Sequence, residues 1–186
     1  MLAAAALIAA LVAAPADYKI EPGSADAGFD LKATMHTVHG TTSKVSGHVH
    51  AEPQPDGALT LSGRIEIDTS SLATGNSRRD ATMHNTSLAV SSFPAIVFEP
   101  ERFTPSGDAG PTGGVPGQLS GRITIRGKVK PQSMDATLTP MGRSIKVAGR
   151  FDVAWADFGV PDPSFAFVRI EAVAHAHFGV VFAPAP

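Results

Sequence analysis

From Leu59 to Asp68 the side chains alternate with a period of two. Leu59, Leu61, Gly63, Ile65 and Ile67 share one face, and Thr60, Ser62, Arg64, Glu66 and Asp68 the other. Alternation of this kind predicts a β-strand with one apolar and one wet face. The pattern returns over residues 119–126, where Leu119, Gly121, Ile123 and Ile125 oppose Ser120, Arg122, Thr124 and Arg126. It returns again over 145–155, with Ile145, Val147, Gly149, Phe151, Val153 and Trp155 on the apolar side. Looser versions over 27–35, 41–51, 96–103, 134–140 and 165–182 raise the expected total to about eight strands, at the spacing of all-β barrels and sandwiches. Strands wet on one side and apolar on the other enclose a shared interior.

The first of these strands turns Phe29, Leu31 and Met35 inward. The last turns Val168, Ile170, Ala172, Ala174 and Ala176 inward, with Arg169, Glu171, His175 and His177 outward. Three successive inward alanines favour a lumen over a filled core, where branched or aromatic side chains would stand. One segment breaks the pattern. Ser77-Arg78-Arg79-Asp80 has the form of a capping box and predicts a short helix reaching toward Leu88, with Pro94 returning the chain to a strand. The expected fold is an all-β, antiparallel eight-stranded barrel with one short inserted helix at its rim.

Composition narrows the function. A net charge of −2, with Lys and Arg scattered singly, provides no phosphate-tracking groove, so no nucleic acid is expected as a partner. The 18 glycines and 15 prolines favour turns, and 53–57 and 105–117 read as loops between strands. The 186 residues suit one domain, and without cysteine its stability must come from the core alone. Residues 1–13 are apolar throughout, and Ala14-Pro15-Ala16 fits the small-x-small rule for leader cleavage. The run is too short to span a bilayer. Residues 1–16 are therefore expected to be a signal peptide and 17–186 an exported, periplasmic barrel domain.

Seven histidines invite a metal reading, since His48-x-His50 and His175-x-His177 each put two imidazoles on one side of a strand. Both pairs sit among Lys, Ser, Arg and Glu, so solvated surface histidines are the simpler reading, and no metal or cofactor is expected. Hydrolase signatures are absent: no Gly-x-Ser-x-Gly elbow, no cysteine nucleophile, no His-Glu-x-x-His. No catalytic residues are expected. Arg79 and Asp80 read as groups fixing the helix, whereas Arg78 is the candidate for an anionic head group.

With these residues in hand, the chain resembles the YceI family of periplasmic polyisoprenoid-binding proteins. The resemblance runs from Tyr18-Lys19-Ile20 to the last strand. It is carried by the segment from Ser71 to Asp80, by Phe93-Pro94-Ala95-Ile96-Val97-Phe98, by Gly121-Arg122-Ile123-Thr124-Ile125-Arg126-Gly127 with Pro131, and by Asp157-Phe158-Gly159. Where the family usually continues Arg-Asp with x-His-Leu, Thr82 and Met83 fill the His and Leu places, and His84 falls one later. The resemblance implies a lipocalin-like barrel and a long isoprenoid ligand, of quinone or polyprenyl phosphate type, held by a non-catalytic carrier or sequestering protein. Its tail would lie against Phe29, Leu31, Met35, Leu61, Ile65, Ile67, Phe98, Ile123, Ile125, Phe151, Val153, Trp155, Ile170, Ala172 and Ala174. Transient contact with a membrane and pairing of two barrels are both compatible with such a carrier. Two other readings stand beside it: a metal-dependent or otherwise catalytic barrel using the histidine pairs, and an interaction module whose barrel is filled.

Overall fold

The computed structural model describes residues 14–164 and 167–185. Residues 1–13, on which the expected leader chiefly rests, and residues 165 and 166 of the expected last strand lie outside them. Ten strand segments form: β1 (Ala16–Ile20), β2 (Asp26–Lys32), β3 (Thr37–Thr42), β4 (Val45–Pro53), β5 (Leu59–Asp68), β6 (Ala95–Pro105), β7 (Val115–Ile125), β8 (Lys128–Met141), β9 (Ser144–Ala154) and β10 (Val173–Pro184). Helix α1 (Ser77–Thr82) lies between β5 and β6.

Ten segments make an eight-stranded ring because two strands are interrupted. β1 pairs with the end of β10 (Tyr18↔Pro184, Ile20↔Phe182), and β2 pairs with its beginning (Asp26↔Gly179, Asp30↔His175). The same break recurs next door, where β3 pairs with β2 and β4 with β1. β1/β2 and β3/β4 thus act as two long kinked strands, and the β1–β10 pairing closes the ring. Every neighbour is antiparallel, while β3 has a ladder partner on one side and only the Thr41↔Ala73 bridge on the other.

Gly47 and Gly63 mark a corner. Their φ values of +154° and +144° fall where side chains are strained, and a Cβ on Gly63 would stand 2.3 Å from the His48 carbonyl oxygen. β4 and β5 approach closely there, and the β5–β6 register slips between Thr60 and Ile65. Such glycine corners let a twisted sheet curl shut.

The two ends of the barrel differ. One is capped by the β4–β5, β6–β7 and β8–β9 connections and holds the most deeply buried side chains, although the cavity still reaches them. Phe103 and Val115 are fully buried there, with Leu59, Leu119, Met134, Leu138 and Ile145 beside them. The opposite end carries the β2–β3 turn, residues 69–94 with the helix, the β7–β8 turn and the long β9–β10 loop. Inward side chains approaching this end, among them Ile65, Phe98, Phe151 and Ala176, remain partly exposed although they face the interior.

Three local expectations are corrected. The last strand starts at Val173, so Val168 and Ala172 lie in the preceding loop, where both are exposed. β2 stops at Lys32, and Met35 sits on the following turn. The helix is capped by Asn76, whose side chain accepts from the Arg79 amide, rather than by Ser77. Asp80 instead accepts from the Thr74 amide at 2.8 Å and the Thr74 hydroxyl at 2.5 Å, and these bonds hold its carboxyl below the usual aspartate range. A π-type turn over Met83–Ser87 then carries the chain to Leu88, and Met83 is buried toward the interior.

Candidate functional site: an apolar lumen with one mouth

Inside the ring lies a cavity of about 480 Å³. That volume falls within the roughly 300–1,000 Å³ of ligand-binding pockets. The way aromatic side chains are stored explains why space remains at the axis. Phe29 lies over Gly40 and Phe178 over Gly149, each ring directly opposite its glycine on the next strand. A Cβ on Gly40 would come within 2.2 Å of the Phe29 ring, and one on Gly149 within 2.8 Å of Phe178. Phe98 covers Gly121 in the same manner, so these rings lie along the wall instead of crossing the lumen. Ala174 and Ala176 complete the wall with side chains too short to reach the centre.

Of the fifteen side chains expected to contact a ligand tail, thirteen meet in this cavity: Phe29, Leu31, Leu61, Ile65, Ile67, Phe98, Ile123, Ile125, Phe151, Val153, Trp155, Ile170 and Ala174. Met35, 87% exposed, and Ala172 do not, because the inward alternation stops where strand pairing stops. Several lining groups had no signal in the alternation. Met83 and Leu88 are supplied by the helical segment, Phe158 by the 3-10 turn after β9, and Val160 by the loop beyond it. Trp155 begins that turn, and its indole N–H donates to the Glu171 carbonyl at 2.8 Å, which fixes the ring at the mouth.

Besides Tyr18 and Trp155, the polar residues of the lining are Thr42, Thr74, Arg79, Thr82, Ser87 and His177. Of these six, Thr74, Arg79, Thr82 and Ser87 belong to the helical segment, and the Thr42 hydroxyl bonds the Ser71 hydroxyl at 2.6 Å. Arg79 donates from Nε to the Thr74 hydroxyl (2.8 Å) and from Nη2 to the Thr74 carbonyl (3.0 Å). Its Nη1 makes no bond among the described residues. Arg78, the expected head-group residue, is exposed and outside the cavity, because successive helical positions point about 100° apart. His84 bonds the Leu72 carbonyl at 2.8 Å and so ties the helix to the preceding turn.

One histidine of each pair, His50 and His175, and also His39, holds a carboxylate contact on the outer wall. His50 Nδ1–H donates to Asp17 at 2.8 Å, His39 to Asp30 at 2.6 Å, and His175 to Asp152 at 2.7 Å. Among the described residues, no three His, Asp or Glu side chains converge as metal ligands. The bond to Asp152 is the main cause raising the His175 pKa above the ordinary histidine value, with Glu171 adding to it and Lys32 opposing. A raised value means that the contact stabilises the fold below about pH 6.5 and fades as pH rises through the folded-state value. Asp152→Asn is therefore expected to lower the melting temperature slightly at about pH 5.5 and to leave it nearly unchanged at about pH 8.5. Equal losses at both would assign the effect to the hydrogen bond alone.

Fold and cavity together define a closed antiparallel β-barrel with one apolar lumen and a helical segment at its mouth. The YceI-like domain profile matches residues 18–178, and the chain belongs to that family. Solved structures share the fold. BcnA of Burkholderia cenocepacia superposes with a TM-score of 0.70 at 16% identity, over 87% of this chain and 98% of that one. A polyisoprenoid-binding domain from Saccharophagus degradans, implicated in plant cell wall breakdown, gives 0.69 at 13% identity, over 90% and 98%. The YceI protein of Campylobacter jejuni gives 0.59 at 14% identity, over 82% and 88%. No curated protein matches this chain significantly.

Proposed function

We propose that this protein is a non-catalytic carrier or sequestering protein for a long isoprenoid lipid of quinone or polyprenyl phosphate type, acting in the periplasm after export. The observation that carries this reading is a lumen of about 480 Å³ whose wall is largely apolar and whose polar side chains gather mostly beside the helix at one end. Each CH₂ of an isoprenoid tail costs about 0.8 kcal/mol when exposed to water, so such a wall is what crossing an aqueous compartment requires. The polar end suits a head group. Arg79, rather than Arg78, is the side chain in place to meet it, with the Ser87 hydroxyl as a neighbouring polar group. The description of the Saccharophagus domain as polyisoprenoid-binding supports the same ligand class.

The test is solvent extraction of gently purified protein followed by mass spectrometry, with titration of a short-chain quinone. The chain has one tryptophan, and Trp155 lines the cavity, so a quinone bound in the lumen is expected to quench its fluorescence saturably. A stoichiometric isoprenoid in the extract would name the ligand. An extract without lipid, from folded protein whose Trp155 is not quenched, would overturn the carrier reading.

A further inference from the structure

The described residues include five large apolar side chains that stand exposed, and four of them lie at the mouth end: Met35, Val129, Phe167 and Val168. Only Met141, the last residue of β8, is at the opposite end. Phe167 is 96% exposed and Met35 87%, in a chain that otherwise turns its large hydrophobes inward. A scattered surface leucine or valine needs no explanation, but a one-sided set beside a ligand cavity does.

The set is built rather than loose. Ala33 and Ile170 form an antiparallel bridge that joins the β2–β3 turn to the β9–β10 loop. The Thr34 amide donates to the Arg169 carbonyl at 3.0 Å, and the Arg169 amide to the Thr34 hydroxyl at 2.8 Å. These bonds hold the turn bearing Met35 against the segment bearing Phe167 and Val168. Ile170, in the bridge, lines the cavity, as does Leu31 on the adjoining strand. The segments that bear the exposed apolar side chains therefore also supply the lumen's lining at the mouth.

We propose that this edge is a membrane-docking lip: Met35, Phe167 and Val168 insert into the surface of a phospholipid bilayer and bring the mouth against it. The inference rests on the lipid-carrier reading, since a tail of many CH₂ groups can leave a bilayer cheaply only into an apolar channel that meets it without intervening water. Area argues against a second copy as the occupant. A standard interface buries about 800 Å² on each partner, and three side chains supply a fraction of that. The charges argue for apolar insertion over electrostatic adsorption. Lys32 faces Glu171 at 3.8 Å, and Arg169 acts on Asp162, so cations along this edge are offset by carboxylates. Docking is thus insensitive to salt and does not require anionic lipid.

The experiment floats the purified protein on phosphatidylcholine vesicles, with and without phosphatidylglycerol, at low and high salt. Wild type is expected to rise with both kinds of vesicle, and the combined Met35→Ser, Phe167→Ser, Val168→Ser variant to lose vesicle partitioning by about tenfold or more. These side chains lie outside the cavity, so quenching of Trp155 by a short-chain quinone in solution should be unchanged in the variant, which also shows that it is folded. Flotation that persists in the variant, or that is absent from wild type, overturns the proposal. So does flotation that needs anionic lipid and fails in salt, or a concentration-dependent dimer that the variant abolishes. If wild type floats through these residues but never takes up quinone, the lip stands and the carrier reading falls.

Discussion

With phenylalanine at both 174 and 176, quinone uptake is expected to fall by roughly a hundredfold while the barrel stays folded. Ala174 and Ala176 line the lumen from β10, and their side chains are the shortest on that wall. Two added rings would occupy space otherwise available to the tail. Displacing three or four methylenes from the lumen costs about 2.5–3 kcal/mol, which is close to a hundredfold in affinity. Because the rings enter a cavity, the melting temperature should hold or rise slightly, as in other cavity-filling substitutions. A packed barrel would respond oppositely, with overpacking that costs about 1–3 kcal/mol. Differential scanning fluorimetry beside the Trp155 titration separates the two cases. A large drop in melting temperature would sink the open-lumen description.

The second large effect is on stability, and it should differ between the two halves of the barrel. Phe103 is fully buried at the end opposite the mouth, and truncating it to Ala should cost about 3–5 kcal/mol. For a chain of this size that is a fall of roughly 6–20 °C in melting temperature. Phe98 stands on the same strand and, like Phe103, borders the cavity, but it is only partly buried. Its ring already lacks neighbours on one side, so Phe98→Ala should cost less than half as much. Denaturant melts of the two variants would measure the contrast. Equal losses would mean that the mouth half is packed as densely as the other.

Much of the wall could be read from the chain because alternation reports directly on which face a strand buries. β5 ends where the pattern ends, at Leu59 and Asp68, and inward residues of β7 and β9 reach the lumen as expected. The errors share a physical cause. Alternation can continue past the last paired residue, so Met35 and Ala172 look inward on paper although no neighbouring strand holds them there. The capping box failed for a related reason. Ser77 and Asp80 have the right spacing, but Thr74, upstream of the helix, outcompetes Ser77 for the carboxylate. Arg79 was read as a structural group, and its bonds to Thr74 agree with that. That it also borders the lumen depends on how the helix sits across the mouth, which no local pattern encodes. The two strand breaks were equally hidden. They appear only when the registers on both sides of β1/β2 are compared with β10.

The ring is shut where the first strand meets the last, with Ile20 opposite Phe182 and β2 running along His175–Gly179. The contacts that complete the barrel are therefore among the longest-range ones in the chain. Until β10 has been synthesised, β1 and β2 lack one of their two neighbours, and the lumen has a gap along its whole height. High contact order of this kind slows folding, because a large loop must be closed before the reward is collected. A nascent chain of this topology cannot complete its barrel until its translation is nearly finished. Such a delay suits the proposed export, in which the polypeptide would be threaded across a membrane before its barrel can form.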